Sequence, residues 1–305
     1  MPGKPTLSSA AAAQATNRHY GLPPEVFAAF LDPHMKYTSG LYLTGAETLH
    51  AAQTNKLRFI ADLLAVEPGA DVLDVGCGWG ALTLYLAEHR ECRVTSVTPS
   101  PAQAAFIAEA AAQRGLSDRI CMHVGGFLEA DLQPTFAAVA MVGVIEHLTD
   151  KSAAIGKVRR LLRPGGHLYV SASCYRDAAQ KPVYEARPGS LHAVSVFGFT
   201  TMPILSGLLA GLEEHGLSPR SVTDLTAHYW RTIDQWRQQI AVHGALIESL
   251  EPGFADEIDR YFDGANSSWG YTARHYAVSA GTARAESPLI PRQMLRVDAR
   301  RSPAV

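Results

Sequence analysis

The sequence has few cysteines, few charged residues and no apolar run long enough to span a bilayer. Its four cysteines, Cys77, Cys92, Cys121 and Cys174, form neither a C-x-x-C pair nor the Cys/His spacing of a zinc site. We therefore expect reduced, space-filling thiols and no metal site. Because no basic start precedes an apolar segment near residue 1, we also expect no secretory signal and a cytoplasmic protein.

A strong excess of either charge is also absent. Charged residues make up 18% of the chain, and the net charge is −2. This balance gives no electrostatic reason to expect a nucleic acid or an anionic membrane as the partner, and it favours a small-molecule substrate. We expect no stable membrane insertion, and nothing in the sequence supports a particular oligomeric state.

The apolar content of 47% in 305 residues is sufficient for one large domain. Residues 1–16 and 283–305 lack apolar periodicity, so we expect a disordered N-terminus and a flexible C-terminal tail around a single domain at 17–282.

Within the domain, strand-like and helix-like segments alternate. The predicted strands are 71–75, 93–97, 120–124, 137–142 and 167–173. The predicted helices between them are 80–89, 101–114 and 151–162. This alternation predicts an α/β fold with a mostly parallel, Rossmann-like sheet that is covered on both faces.

The segment after the fifth strand is less regular. We interpret residues 174–202 as a lid or substrate loop, because long irregular segments in compact domains often form binding sites. Later segments are predicted as helix 203–216, strand 219–225, helices 231–249 and 253–264, and strand 271–279. The two helices interrupt a possible terminal hairpin, so residues 228–266 are predicted to form a helical cap over a pocket.

The most informative motif runs from Val72 to Gly80, where a buried strand leads into three glycines at alternate positions. Gly76, Gly78 and Gly80 allow positive φ and the close approach of a ligand to the backbone. A dinucleotide site would need G-x-G-x-x-G and an acid after the second strand, where this chain has Thr98. The loop therefore indicates a different nucleoside cofactor.

Two further motifs follow the second and fourth strands. Ser100 is a predicted N-cap, and Gln103 either completes its capping box or contacts the cofactor. Glu146 and His147 follow the fourth strand at the carboxyl edge of the sheet. A carboxylate at this place could stabilise a developing carbocation or accept a proton from an amine, and His147 could be either a base or a structural residue.

These motifs resemble the S-adenosylmethionine-dependent methyltransferases, and within them the group similar to cyclopropane-fatty-acyl-phospholipid and mycolic acid cyclopropane synthases. The resemblance covers about residues 19 to 280. It rests on the glycine loop, on the segments 97–103 and 143–147, on His19-Tyr20 and Tyr37-Thr38-Ser39-Gly40 upstream, and on 225–229 with Trp236 downstream.

The resemblance implies a seven-stranded class I methyltransferase sheet whose last strand is antiparallel, with S-adenosylmethionine at the strand tips. The acid that many methyltransferases carry directly after the third strand is replaced here by Gly126-Phe127. The implied cofactor residues are Tyr37, Thr38, Asp74, Gly76, Gly78, Gly80, Thr98, Gln103, Gly126, Phe127 and Val142. The implied substrate pocket comprises Tyr20, Ser39, Ser171, Tyr175, His192, Phe199 and His228.

The resemblance also implies the catalytic group Glu146, His147 and Tyr229. Cyclopropane synthases hold a bicarbonate base with Cys, Glu, His and Tyr, but here the Cys and His positions fall on Ser39 and Ser171. We therefore expect methyl transfer to a small molecule, at an amine nitrogen or an electron-rich or alkene carbon, in bacterial specialised metabolism. The alternatives are a cyclopropane synthase for unsaturated acyl chains and a catalytically silent, cofactor-binding regulatory subunit.

Overall fold

The computed structural model describes residues 19, 21–133, 135–187 and 201–282, and its centre is one seven-stranded sheet. The strand order is β3-β2-β1-β4-β5-β7-β6, and β7 runs antiparallel to both of its neighbours while β1 to β5 are parallel. The strands are β1 Asp71–Val75, β2 Arg93–Thr98, β3 Ile120–Val124, β4 Phe136–Val142, β5 Leu162–Tyr175, β6 Ser218–Asp224 and β7 Ala273–Gly281. The predicted fold class is thereby confirmed.

Nine α-helices in the described part of the chain surround this sheet. They are α1 Pro24–Ala28, α2 Leu49–Leu64, α3 Ala81–His89, α4 Pro101–Gln113, α5 Lys151–Leu161, α6 Gln180–Glu185, α7 Leu205–Glu214, α8 Thr226–Leu250 and α9 Phe254–Asn266. Among the described residues, no helix combines the length and the hydropathy that a bilayer-spanning helix needs.

The middle of the sheet is dry because helices cover both of its faces. All seven residues of β4 are buried, and one apolar cluster lies on each side of the sheet. Such strands consist of nearly continuous apolar residues rather than alternating ones, which is the expected pattern for a parallel sheet covered on both faces.

Several elements differ from the sequence-based prediction: α1 is not among the predicted helices, and α6 lies in the segment 174–202 that was predicted to be irregular. Helix α2 was not predicted, although Thr48 caps it by accepting a hydrogen bond from the Ala51 N–H at 3.2 Å. Strand β5 begins earlier than predicted, and the turn at 163–166 forms an irregularity inside it: Phe136 pairs with Leu162, but Ala138 pairs with His167.

The segment before α2 is fastened to α8 by hydrogen bonds across the molecule. The Tyr42 N–H donates to His228 Nδ1 at 3.1 Å, and the Gly40 N–H donates to Thr232 Oγ1 at 2.8 Å. Aromatic side chains pack beside this contact, including Tyr37 against Trp236 at 5.3 Å between ring centroids. The segments 40–42 and 228–232 are thus in direct contact although they lie far apart in the sequence.

The contact between Tyr42 and His228 predicts acid sensitivity. Burial lowers the pKa of His228 to about 4 from its ordinary 6.5. The unfolded chain therefore binds a proton that the folded protein does not take up until lower pH, so stability is lost as the pH falls from 6.5 towards 4. His228→Gln keeps an acceptor for Tyr42 and should lose less stability over this range, by up to about 3 kcal/mol.

Urea unfolding at both ends of that pH range measures this difference. His243→Gln, a substitution in the same helix, should follow the wild-type protein. Equal losses in the wild-type protein and His228→Gln would contradict the assignment.

Candidate functional site

The turn from β1 into α3 has the backbone conformation that its glycines allow. Gly76, Gly78 and Gly80 have φ values of 65°, 57° and 83°. A Cβ on Gly76 would lie 2.2 Å from Val144 Cγ2, and one on Gly80 would lie 2.5 Å from Ile107 Cγ1. A Cβ on Gly78 would meet nothing within 4 Å. The outer two glycines therefore permit close packing, whereas the middle one faces open space.

That open space is a cavity at the carboxyl ends of β1, β2 and β4, which we call the cofactor cavity. It lies where the strand order reverses direction between β1 and β4, the usual ligand crevice of an open α/β sheet. The cavity walls include the predicted residues Tyr37, Thr38, Gly76, Gly78, Thr98, Gln103, Gly126, Phe127 and Val142. Asp74 and Gly80 do not line it.

Asp74 lies beneath the glycine loop and ties three elements together. Its Oδ2 accepts a hydrogen bond from Thr83 Oγ1 at 2.9 Å, and Thr83 Oγ1 is 2.7 Å from Ser96 Oγ. Burial raises the pKa of Asp74, while the nearby Lys36 opposes that rise. This network joins β1, α3 and β2 below the floor of the cavity.

Thr98 and Gln103 are held together at the end of β2. Thr98 Oγ1 donates to Gln103 Oε1 at 2.6 Å and accepts from the Ser100 N–H at 3.2 Å. In a capping box, the Gln103 side chain would accept a hydrogen bond from the Ser100 N–H. Here the Thr98 hydroxyl accepts it instead. With its Oε1 fixed, Gln103 presents a side-chain amide at the cavity wall, which favours the cofactor role that the sequence left open.

Two charged residues that the sequence reasoning missed also line the cofactor cavity. Glu129 follows β3 by five residues, and its Oε2 lies 2.2 Å from where a Cβ on Gly126 would stand, so the carboxylate lies directly against Gly126. Lys36 is buried near Asp74. Burial lowers the pKa of Lys36, but Asp74 favours its charged form.

These walls fit S-adenosylmethionine. The cofactor carries a carboxylate, an adenine amino group and a ribose, and the cavity offers Lys36, Glu129 and the Gln103 amide to such groups. The open space above Gly78 admits a ligand against bare backbone.

A second cavity adjoins the first, and we call it the substrate cavity. The two cavities share Tyr37, Thr38, Gly143 and His147 as common walls. Seven described aromatic residues line the substrate cavity: Tyr37, Tyr184, Tyr229, Trp236, Tyr261, Phe262 and Trp269. Helices α8 and α9, which lie between β6 and β7, supply most of them.

The floor of the substrate cavity is polar. Glu146 Oε1 accepts a hydrogen bond from the Ser173 N–H at 2.5 Å, and burial raises the pKa of Glu146. His275 on β7 places Nδ1 3.4 Å from Ser173 Oγ. The Tyr229 ring lies edge-on to the His275 ring at 4.7 Å. Of the predicted catalytic group, Glu146, His147 and Tyr229 all line this cavity, whereas His275 was missed.

Four residues of the predicted substrate pocket lie elsewhere. Ser39 and Ser171 are fully buried and line neither cavity, and Ser39 Oγ donates to the Gly40 carbonyl at 2.8 Å. Tyr175 donates to Glu185 Oε1 at 2.8 Å, and His228 accepts from Tyr42. None of these four side chains lines either cavity, contrary to the prediction of a pocket role. The remaining three, Tyr20, His192 and Phe199, lie outside the described residues.

A potential metal-ligand cluster in the described part of the chain consists of Asp32, His34 and His50. Asp32 already accepts hydrogen bonds from the backbone N–H groups of His34 and Lys36, at 3.2 and 3.1 Å, and from His50 Nδ1 at 3.2 Å. These hydrogen bonds explain why the three side chains lie together, because they close the loop at 32–36 and join it to His50. That the chain holds no metal stays a prediction.

Comparison with known proteins agrees with this geometry. A protein of Pseudomonas putida, described as a probable fatty acid methyltransferase, is 26% identical over 230 residues, which are 75% of this chain and 58% of that protein. A protein of Papaver bracteatum, described as a probable (S)-tetrahydroprotoberberine N-methyltransferase, is 26% identical over 243 residues, which are 78% of this chain and 67% of that protein. The chain thus spans less than two thirds of the length of the Pseudomonas protein.

Among solved structures, a mycolic acid cyclopropane synthase in complex with SAH and CTAB superposes with a TM-score of 0.82 at 22% identity, covering 88% of this chain and 98% of that one. This likeness shows the fold. A family profile described as mycolic acid cyclopropane synthetase matches residues 7–275. The family uses S-adenosylmethionine, so the predicted cofactor is confirmed. The chain belongs to the mycolic acid cyclopropane synthetase family of S-adenosylmethionine-dependent methyltransferases and cyclopropane synthases.

Proposed function

We propose that this chain transfers a methyl group from S-adenosylmethionine to a small molecule, at an amine nitrogen or at an electron-rich or alkene carbon. The observation that carries the proposal is the substrate cavity. It is walled by aromatic rings, it shares four residues with the cofactor cavity, and it has the buried Glu146 on its floor. Aromatic faces favour a cationic or unsaturated substrate, and a carboxylate stabilises positive charge that develops during the transfer.

The bound cofactor supplies an electrophilic methyl group on its sulfonium. The chain must then place the acceptor in line with that methyl group, exclude water and take up a proton where one leaves. Tyr37 and Thr38 belong to both cavities, so they can orient the two ligands relative to each other. Glu146 Oε1 is fixed by Ser173, which leaves Oε2 to contact the acceptor or receive its proton.

A cyclopropane synthase remains the second candidate because of the family relationship. The burial of Ser39 and Ser171 speaks against it, since these residues stand where the family's bicarbonate ligands would be and neither lines the substrate cavity. The relative described as an N-methyltransferase supports methylation of an amine. On composition, we place the reaction in bacterial specialised metabolism and in the cytoplasm.

Substitution of the middle glycine tests the cofactor cavity. Gly78→Ala adds a methyl group to open space that we assign to the cofactor, so affinity for S-adenosylhomocysteine should fall by about tenfold or more, at a backbone cost of about 1 kcal/mol. Isothermal titration calorimetry measures the affinity. Gly69→Ala is the matched control, because Gly69 also has a positive φ of 78° and open space but lines neither cavity. Wild-type affinity in Gly78→Ala would contradict the assignment.

The position of Glu129 predicts recognition of the adenine amino group. A carboxylate accepts a hydrogen bond from this group but repels the carbonyl oxygen of hypoxanthine. The wild-type protein should therefore bind S-adenosylhomocysteine about tenfold more tightly than S-inosylhomocysteine, and Glu129→Ala should lose this preference. Asp131→Ala removes a neighbouring exposed acid and should keep it. A preference that survives in Glu129→Ala would refute the role.

An isotope label distinguishes the candidate reactions. The protein is incubated with metabolite extracts and S-adenosylmethionine that carries a fully deuterated methyl group, and mass spectrometry then identifies the labelled products. We expect products that retain all the methyl deuterium, because direct transfer breaks no C–H bond of the methyl group. Loss of one deuterium would indicate a methylene product and would overturn the proposal in favour of cyclopropanation.

The variant Glu146→Gln separates an enzyme from a silent cofactor-binding subunit in the same assay. It should bind S-adenosylhomocysteine as the wild-type protein does but lose about 100-fold or more in turnover. Glu109→Gln, on the exposed face of α4, is the control. Cofactor binding without turnover by the wild-type protein would support the silent subunit.

A further inference from the structure

The floor of the substrate cavity brings three strands together. Glu146 follows β4, Ser173 lies on β5 and His275 lies on β7, where Ser173 and His275 are register partners. Ser173 links the other two, because its N–H donates to Glu146 Oε1 and its hydroxyl lies beside His275 Nδ1. Each side chain therefore has one atom fixed by Ser173 and a second atom that remains for another contact.

Those second atoms have no hydrogen-bond partner among the described residues. Both Glu146 Oε2 and His275 Nε2 are buried, and both residues line the substrate cavity. Leaving a buried polar atom without a partner costs about 1–3 kcal/mol, and the cost is larger for a charged group. Trp236 Nε1 and Trp269 Nε1 in the same cavity also lack a partner among the described residues, so a ligand there could supply several missing hydrogen bonds, and Glu146 and His275 are the two of these residues that Ser173 holds together.

The chemistry of these atoms restricts the ligand. Burial, together with the charge of Lys56, lowers the pKa of His275 well below its ordinary value, so the imidazole is neutral. When Nδ1 carries the hydrogen and donates to Ser173 Oγ, Nε2 is an acceptor. Glu146 Oε2 is an acceptor as well when the carboxyl is ionised, so these two atoms suit a ligand group with two donors.

The walls add a preference for positive charge. Tyr229 lies between His275 and Trp269, stacked on the Trp269 ring at 4.9 Å. Aromatic faces attract an ammonium group, and their flat surfaces accept an unsaturated or aromatic substrate body.

We infer that His275 Nε2 and Glu146 Oε2 together bind two N–H groups of one amine, so that the substrate is a primary or secondary amine on an unsaturated or aromatic body. This inference rests on the proposed methyl transfer and names its substrate class. His275 also provides the substrate cavity with an imidazole, which the residue at the family's histidine position does not. The family's histidine position on β5 is Ser171, but β7 supplies a ring from the neighbouring strand.

A series of amines that differ only in the number of N–H groups tests the inference. The probes are benzylamine, N-methylbenzylamine, N,N-dimethylbenzylamine and benzyltrimethylammonium, which at neutral pH are all cations with three, two, one and no N–H groups. Their binding to the complex of the protein with S-adenosylhomocysteine is followed by intrinsic tryptophan fluorescence, because two of the four tryptophans, Trp236 and Trp269, line the cavity.

We expect similar affinity for the first two probes, and a fall of about tenfold at each later step, because each step removes one hydrogen bond. In His275→Phe, the affinity should no longer fall between N-methylbenzylamine and N,N-dimethylbenzylamine. It should still fall between N,N-dimethylbenzylamine and benzyltrimethylammonium. His275→Gln retains an acceptor and should restore the wild-type pattern. His243→Phe, which alters a histidine that lines neither cavity, is the control.

Affinity for S-adenosylhomocysteine shows that each variant is folded. The inference is overturned if His275→Phe keeps the wild-type pattern, if affinity does not depend on the number of N–H groups, or if no amine binds. It is also overturned if bicarbonate binds and His275→Phe abolishes that binding. A normal amine pattern without any methylated product would instead refute the proposed methyl transfer and leave the amine site standing.

Discussion

The contact between Gly76 and Val144 is the constraint on which the site depends. The Val144 side chain occupies the space that a Cβ at position 76 would need, so the turn after β1 and the turn after β4 touch each other. Val144 also lines the cofactor cavity, and Glu146 and His147 follow it in the same turn. One close approach therefore sets the distance between the cofactor loop and the floor of the substrate cavity.

Burial gives the polar residues around this contact their properties. Asp74, Glu146 and His275 lie in dry surroundings, and in each case burial is the largest influence on the pKa and disfavours the charged form. Hydrogen bonds from Thr83 and Ser173 partly offset this cost for the two acids. Asp74 is satisfied within the fold and supports it, whereas Glu146 retains an open acceptor at the cavity. A buried carboxyl group thus supports the fold at Asp74 and borders the ligand space at Glu146.

The sequence predicts the part of the site that depends on local pattern. The glycine loop, the Thr98 and Gln103 pair and the position of Glu146 follow from single strand-to-helix turns, and the structure places them at the cavities with the exception of Gly80. His275 could not be found in this way, because it meets Ser173 across 102 residues and only through the pairing of β7 with β5.

For Ser39 and Ser171 the sequence predicts a place in the substrate pocket that the structure does not give them. Matching to a family locates a residue along the chain, but it does not show which way the side chain points, and both serines are buried in the packing of this protein. Glu129 was overlooked for a related reason. It stands five residues beyond β3 rather than directly after it, and it reaches the cavity by lying against Gly126.

The two cavities have different origins along the chain. The walls of the cofactor cavity are scattered over residues 35–149, whereas one continuous segment, 226–266, forms α8 and α9 and supplies much of the wall of the substrate cavity. This segment enters after β6 and leaves before β7, so its ends are anchored in adjacent strands. Recombination between homologous genes could exchange such a segment as a unit. Such an exchange would alter the acceptor site and leave the cofactor walls at 35–149 as they are.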